Sequence, residues 1–327
     1  MKGGGELLGK LANDLTNGGK SLDNSVRRKK VKVFIADECC LCFGASRALS
    51  LAQEKLAEGK RVVLFKQILH NKRTTGKLLG AGAVQKDNLD EITSGDCVVI
   101  RAHGERKDTF DYLKGKGIEY ADGTCPNVKA INLLVNGKNA EGYKIIIVGK
   151  YGKNGGKMHP EVAGTAGWCD NPIFVEDEED IIAIPLDYSK YFLVVQTTFS
   201  CEKANALIQK AKDYLEQNGK QFEFRNTTCG AQKRINESSE KLAKNVDCMI
   251  VVGGKNSSNT KELFNNLSGK IKSFLVEGLD DVRVLVQQGE LKNFEKIGLT
   301  GGASTVREEL DEIKEYLEKY KKNNQNA

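Results

Sequence analysis

The sequence predicts an α/β protein built of three similar units with parallel sheets, and three observations carry that prediction. From Val31 onward, short apolar strands alternate with amphipathic helices, the signature of an open parallel sheet. Cys42, Cys125 and Cys229 each stand at a strand-to-helix turn, and 20 residues after each an apolar strand runs on from Val62, Ile145 or Met249. A constant offset of this kind marks a repeat. Thr124, Cys125, Lys129, Ile131 and Asn132 return as Thr228, Cys229, Lys233, Ile235 and Asn236, all displaced by 104, so the second and third units read as a duplication.

Residues 1–30 are rich in Gly, Asn and Lys with a faint pattern of leucines, and are expected to form a flexible extension. The first unit, 31–117, opens on the strand Val31–Ala36, turns at Cys42 and enters a helix over Ser46–Glu58. Strand Arg61–Phe65 then leads to the His70-Asn71 loop, and strand Cys97–Ile100 ends at Ala102-His103-Gly104. The second unit, 118–220, repeats the plan: strand Ile118–Ala121 to Cys125, Ile145–Val148 to His159-Pro160-Glu161, and Tyr191–Val195 to Gln196-Thr197-Thr198. The third, 221–305, runs from Phe222–Phe224 to Cys229, from Met249–Val252 to Ser257-Ser258-Asn259, and from Ile297–Leu299 to Gly302-Ala303-Ser304. A last helix, Val306–Tyr320, sets Leu310, Ile313, Leu317 and Tyr320 on one face, and a polar tail closes 306–327. All nine loops follow strand carboxyl ends, where open parallel sheets bind ligands, so they can face one central cavity.

Composition excludes several classes. The net charge of +6 lies at the ends, +4 in 1–30 and +2 in 318–327, which leaves 31–317 neutral and without the basic stripe of a nucleic-acid binder. No run reaches the roughly 18 apolar residues of a membrane span. Nine cysteines in a chain rich in Lys and Glu, with no secretory leader pattern, point to a reducing cytosol where thiols bind metal or stay free. The expected location is cytoplasmic.

Three thiols with no fourth partner predict a metal or cluster site with one open position. Each precedes a helix, whose dipole favours thiolate. Structural zinc normally takes four ligands at short paired spacings, whereas these cysteines are separated by 82 or more positions. His70, His103 and His159 are the only histidines, and all fall in the strand-end loops. With the Ser and Asn donors there they suit an oxyanion such as diphosphate. Glu161 is the carboxylate of these loops and is placed to relay protons. Cys97, Cys169, Cys201 and Cys248 read as packing residues, and Cys39 and Cys40 crowd the first thiol.

The motifs Cys42-Phe-Gly-Ala-Ser-Arg-Ala, His70-Asn71, Ala102-His103-Gly104, Thr124-Cys125-Pro126, His159-Pro160-Glu161, Gln196-Thr197-Thr198, Lys255-Asn256-Ser257-Ser258-Asn259 and Gly302-Ala303-Ser304 occur together and in order. Over 31–318 the chain resembles the 4-hydroxy-3-methylbut-2-enyl diphosphate reductase family, the IspH or LytB type. The resemblance implies three α/β units in a pseudo-threefold around a central iron–sulfur cluster. It implies the last step of the non-mevalonate isoprenoid pathway, giving isopentenyl and dimethylallyl diphosphate with electrons from a ferredoxin or flavodoxin. By the same resemblance Cys42, Cys125 and Cys229 would hold a [4Fe–4S] cluster, and Glu161 and Thr197 would be catalytic. His70, His103, His159, Thr197, Gln232, Ser257, Ser258, Asn259 and Ser304 would bind the substrate.

The chain departs from the family's usual pattern in four places. Cys40-Leu41 replaces Gly-Phe before the first cysteine, Ser46 stands for an acidic residue, and Gln232 for a threonine. The loop between Val148 and His159 is also longer than usual, an expected influence on how Glu161 enters the site. The alternatives are a paralogue acting on another substrate and a non-catalytic cluster-based sensor of iron or redox state.

Overall fold

The computed structural model describes residues 31–69, 71–255, 257–303 and 305–323, without the side chains of Lys72, Ser258 and 321–323. The extension expected at 1–30, together with His70, Ser304 and the last four residues of the tail, lies outside the described residues.

The apolar runs read as strands are buried on both faces, as parallel strands covered by helices must be. Strand β2 (Arg61–Phe65) is buried from Val62 to Phe65, β6 (Lys144–Val148) from Ile145 to Val148, and β10 (Cys248–Val252) throughout. Each begins 19 residues after its cysteine. Around each, three further strands complete an all-parallel sheet. The orders are β3-β2-β4-β5, β7-β6-β8-β9 and β1-β12-β10-β11, with β3 at Val84–Lys86, β4 at Asp96–Ile100, β5 at Glu119–Asp122, β7 at Ile173–Val175, β8 at Lys190–Val195, β9 at Gln221–Arg225, β11 at Ser273–Val276, β12 at Lys296–Gly301 and β1 at Lys32–Ile35.

These orders are one permutation written three times, because β1 takes in the third sheet the place that β5 and β9 take in the other two. Val33 pairs Ile297 and Phe34 pairs Gly298. The strand expected to open the first unit therefore closes the third sheet. By the same rule Glu119–Asp122 pairs back onto β4, with Cys97 opposite Glu119, and Gln221–Arg225 pairs back onto β8, with Tyr191 opposite Phe222. Grouped by sheet, β5 stays with β2, β3 and β4, and β9 with β6, β7 and β8.

Each cysteine thus sits on the link that leaves an edge strand of one sheet (β1, β5 or β9) and enters an inner strand of the next (β2, β6 or β10). The link helices run over Phe43–Ala57, Pro126–Ala140 and Ala231–Ala243. The first starts three residues before its expected position, directly after Cys42, which serves as its N-cap. Pro126 opens the second at the first helical position, where its fixed φ fits and its missing N–H costs nothing.

The carboxyl-terminal helix Arg307–Asn323 buries Leu310, Ile313 and Leu317, with Tyr320 partly covered, against the sheet that β1 and β12 share. That is the face its periodicity predicts. Cys97 and Cys248 are packed inside as expected and Cys169 is half-buried, but Cys201 is exposed at the start of helix Cys201–Gln217, where its Sγ accepts from Asn205 Nδ2 at 4.0 Å. No helix among the described residues is long and apolar enough to cross a membrane.

Candidate functional site

All nine strand-end segments contribute to one cavity of about 120 Å³. The links supply Cys42 with Gly44 and Ala45, Cys125 with Asn127 and Val128, and Cys229 with Ala231 and Gln232. The loops after β2, β6 and β10 supply Ile68 and Leu69, Glu161, and Ser257 with Asn259. Those after β4, β8 and β12 supply Ala102 with His103, Thr197 with Thr198, and Ala303. Nine of the thirteen residues predicted for the site meet here. His159 stands one layer back, and His70, Ser304 and the side chain of Ser258 are outside the described residues.

Two of the thiols are placed by the same device. The Cys125 N–H donates to the Ala102 carbonyl and the Cys229 N–H to the Thr197 carbonyl, each at 2.9 Å. One residue ahead, Asp122 Oδ1 accepts from the Thr124 N–H at 3.0 Å, and Asn226 Oδ1 accepts from the Thr228 N–H at 3.1 Å. The first and second links approach so closely that a Cβ on Gly44 would lie 2.7 Å from Cys125 Sγ. Glycine is required there by space alone. Burial pushes the Cys125 and Cys229 thiols above their ordinary pKa, against the pull of the backbone N–H groups that start their helices. Bare thiolates are disfavoured at these two positions, so a cationic group facing them satisfies what the protein leaves open.

Among the described residues no three His, Cys, Asp or Glu side chains close on a single metal ion. Thiols brought in from three separate links fit a polynuclear group with one thiolate at each of three corners.

Glu161 lies in the first turn of the short helix Pro160–Ala166, which His159 caps by accepting the Glu161 N–H on Nδ1 at 3.2 Å. Its carboxyl is 2% exposed and is backed by Ile131, Ile147, Val162 and Val194. Both oxygens are held by one residue: the Thr197 N–H donates to Oε1 at 2.5 Å and the Thr197 hydroxyl to Oε2 at 2.7 Å. Burial pushes the Glu161 pKa up to about 7, outweighing the two Thr197 bonds that pull it down. Thr197 therefore fixes the carboxyl with its donors and the Cys229 link with its carbonyl.

The longer loop before His159 is closed at its neck. The His159 N–H donates to the Lys150 carbonyl at 2.8 Å, so the chain departs and returns at one point. Outside that point Lys153 binds Asp177 and Asp180, and Tyr151 stacks on Phe174. The extra residues are thus tied to Asp177, Asp180 and Phe174.

His103 lines the cavity, and the His159 ring meets it edge-on at 5.2 Å between centroids. Because His159 Nδ1 accepts, its Nε2 carries the proton in the neutral ring. Behind His103 a buried ion pair clamps the loop: Glu105, itself 2% exposed, binds Arg101 at 2.9 Å and Lys66 at 2.6 Å. Asn71 caps the next helix through the Thr74 N–H and donates to the buried carboxylate of Glu309 at 3.1 Å, tying the His70 loop to the last helix. Gln232 Nε2 donates to Asn236 Oδ1 at 2.9 Å, and its buried Oε1 has no described partner.

Sequence reasoning missed Asn127 and Thr198 as lining residues and Glu105 and Glu309 as supports. Asn127 adjoins Pro126 and Thr198 ends the Gln196-Thr197-Thr198 motif, so both could have been found from the motifs themselves. Glu309 acts across 238 residues, and Glu105, besides its neighbour Arg101, binds Lys66 39 residues away.

The chain is similar to several diphosphate reductases. The 4-hydroxy-3-methylbut-2-enyl diphosphate reductase of Clostridioides difficile (strain 630) is 34% identical over 291 residues, covering 88% of this chain and 99% of that protein. The reductase of the same name from Aquifex aeolicus (strain VF5) is 32% identical over 295 residues, covering 88% and 96%. A solved structure of (E)-4-hydroxy-3-methyl-but-2-enyl diphosphate reductase, described as the terminal enzyme of the non-mevalonate pathway, superposes with a TM-score of 0.70 at 32% identity over 88% of this chain and 99% of that one. The E-1-hydroxy-2-methyl-but-2-enyl-4-diphosphate reductase from Plasmodium falciparum does so with a TM-score of 0.70 at 30% identity, over 87% and 86%. The LytB protein family model matches residues 33–318, and with the three-sheet fold and the shared cavity on the page, the chain belongs to the LytB family.

Proposed function

We propose that this chain reduces 4-hydroxy-3-methylbut-2-enyl diphosphate to isopentenyl and dimethylallyl diphosphate. In that reaction two electrons and two protons replace the allylic hydroxyl, which leaves as water. The observation that carries the reading is Glu161: a carboxyl buried against aliphatic side chains, held on both oxygens by Thr197, in the same cavity as Cys42, Cys125 and Cys229. A [4Fe–4S] cluster held by those three thiolates, when bound, supplies single electrons and a Lewis-acidic corner for the hydroxyl.

The chain's own residues supply the rest. With its pKa near 7, Glu161 is partly protonated at neutral pH and can give a proton to the departing oxygen. The Thr197 hydroxyl, bound to Glu161 Oε2, extends that path by one oxygen. His103, Ser257 and Asn259 offer imidazole, hydroxyl and amide groups to the diphosphate from the first and third sheets, with His159, His70, Ser258 and Ser304 completing the set. Gln232 reaches the same space from the Cys229 link. Groups aimed at both ends of a small substrate fix it against the proton source. A sensor that merely binds a cluster has no use for a buried, doubly bonded carboxyl, which favours the enzyme.

The electron donor is a soluble ferredoxin or flavodoxin, and the setting is the reducing cytoplasm that nine free cysteines favour. The test is an anaerobic assay of the full chain with the allylic diphosphate and reduced methyl viologen. Formation of the two five-carbon diphosphates supports the proposal, and an iron-loaded protein that leaves the substrate intact overturns it.

A further inference from the structure

The link to Cys42 carries chemistry that the proposed reaction does not use. Cys39 and Cys40 are sequence neighbours, and the Cys40 thiol donates to Cys39 Sγ at 3.5 Å. Cys39 is half-buried, whereas Cys40 is packed into the core beneath β1 and β12. Arg307, at the start of the last helix, donates to Cys39 Sγ at 3.8 Å. Cys40 adopts a left-handed backbone, φ 72°, a conformation disfavoured for a residue with a Cβ. It is held there because the Cys40 N–H donates to the Gly301 carbonyl at 3.2 Å and the Leu41 N–H to the Thr305 carbonyl at 2.8 Å.

We propose that Cys39 and Cys40 are a redox-active dithiol that closes reversibly to a vicinal disulfide. Closure needs the sulfurs to approach from 3.5 Å to about 2.05 Å, which takes side-chain rotation together with adjustment of the Cys39–Cys40 peptide. Neighbouring Cα atoms are about 3.8 Å apart, short of the usual disulfide window of roughly 4.4–6.8 Å, so the closed form is strained and easily reduced. Such a bond serves as a switch and not as a staple.

With a low-molecular-weight disulfide such as glutathione disulfide as oxidant, the half-exposed Cys39 attacks as thiolate with Arg307 as its counter-charge. This forms a Cys39–glutathione mixed disulfide and releases one glutathione. Cys40 sulfur then displaces the second glutathione and closes the ring. Two thiols lose two electrons and two protons, and one disulfide becomes two thiols. The ring draws on the peptide two residues ahead of Cys42 and on the Gly301–Thr305 turn. That consequence for the site rests on the reading of Cys42 as a cluster ligand, whereas the dithiol chemistry does not.

The test is to equilibrate the cluster-loaded, full-length protein anaerobically in glutathione/glutathione disulfide mixtures, quench with N-ethylmaleimide and weigh the peptide that spans residues 33–47. The fraction that is lighter by two hydrogens and unlabelled at Cys39 and Cys40 rises at least tenfold from the most reducing to the most oxidising mixture. It returns to baseline with dithiothreitol, and Cys40→Ser instead traps glutathione on Cys39. Full labelling of both cysteines in every mixture overturns the proposal, as does a lighter peptide that persists in Cys39→Ser, which would place the bond between Cys40 and Cys42. The readout is a mass, so absence of turnover on the diphosphate leaves it unaffected.

Discussion

At Cys125 and Cys229 the chain leaves its fourth strand through nearly the same turn. Two residues separate β5 from Cys125 and three separate β9 from Cys229. An Asx side chain caps the intervening threonine in both, and the cysteine N–H is fixed on the end of the neighbouring strand at 2.9 Å in both. At Cys42 six residues intervene after β1, and it is Cys40, not Cys42, whose N–H meets the neighbouring strand, at Gly301. The three thiols nevertheless line one cavity. The site constrains where each sulfur ends and leaves the path to it free, so the divergent link has room for a second pair of thiols that the two copied links lack.

The comparison is broken most severely where the Cys229 link and the carboxyl share a residue. Glu161→Gln keeps an acceptor for the Thr197 N–H but removes the titrating proton. Turnover is expected to fall by roughly 10²- to 10⁴-fold with iron content unchanged, as read by anaerobic assay and iron analysis. Loss of iron together with turnover would mean that Glu161 supports the links and does not serve the reaction.

The same carboxyl makes stability depend on pH. Its folded pKa of about 7 lies above the ordinary 4.5, so between these values the folded state binds more protons than the unfolded state. Stability is then lost as pH rises through that window, by roughly 3 kcal/mol at most. Urea unfolding of cluster-free protein at pH 5 and pH 8 measures the loss, and Glu161→Gln is expected to remove this contribution.

Glycine substitutions sharpen the contrast between the first and third links. Gly44→Ala drives a Cβ into Cys125 Sγ at 2.7 Å and is expected to cost about 1–3 kcal/mol and to lower the iron content. Gly230→Ala meets only Arg234 Nη1 at 3.7 Å, although φ is +65°, and is expected to cost about 1 kcal/mol with iron retained. Equal iron loss in both would remove the special closeness of the first and second links. The smallest effect belongs to the anchored outer loop: Lys153→Ala breaks partly exposed ion pairs and is expected to change stability by about 1 kcal/mol or less, with turnover unchanged.

The legible part of this fold is its inside. Nine of the twelve strands among the described residues were expected from their apolar runs, and the three missed, Val84–Lys86, Ile173–Val175 and Ser273–Val276, are the first edge of each sheet. Edge strands of three or four residues with little or alternating burial carry too short a pattern to separate from a loop. The return of β1 to the third sheet was hidden for another reason. Val31–Ala36 reads as a parallel strand whichever neighbour it pairs with, and only the contact with Ile297 and Gly298 decides. At the site, the cysteines and Glu161 stood out through spacing and chemistry. Glu105 and Glu309 did not, because Lys66 and Asn71 lie 39 and 238 residues away, and the near pair of Glu105 with Arg101 looks like any exposed i,i+4 pair until its burial is known.

The central claim is that three cysteines on three inter-sheet links hold one cluster with an open corner. Mössbauer spectroscopy of the anaerobic protein grown on ⁵⁷Fe tests it most directly. The account predicts a cluster spectrum whose iron sites divide three to one, with the minor site altered when the allylic diphosphate is added. A single mononuclear iron site, or a cluster whose spectrum ignores the substrate, would contradict it.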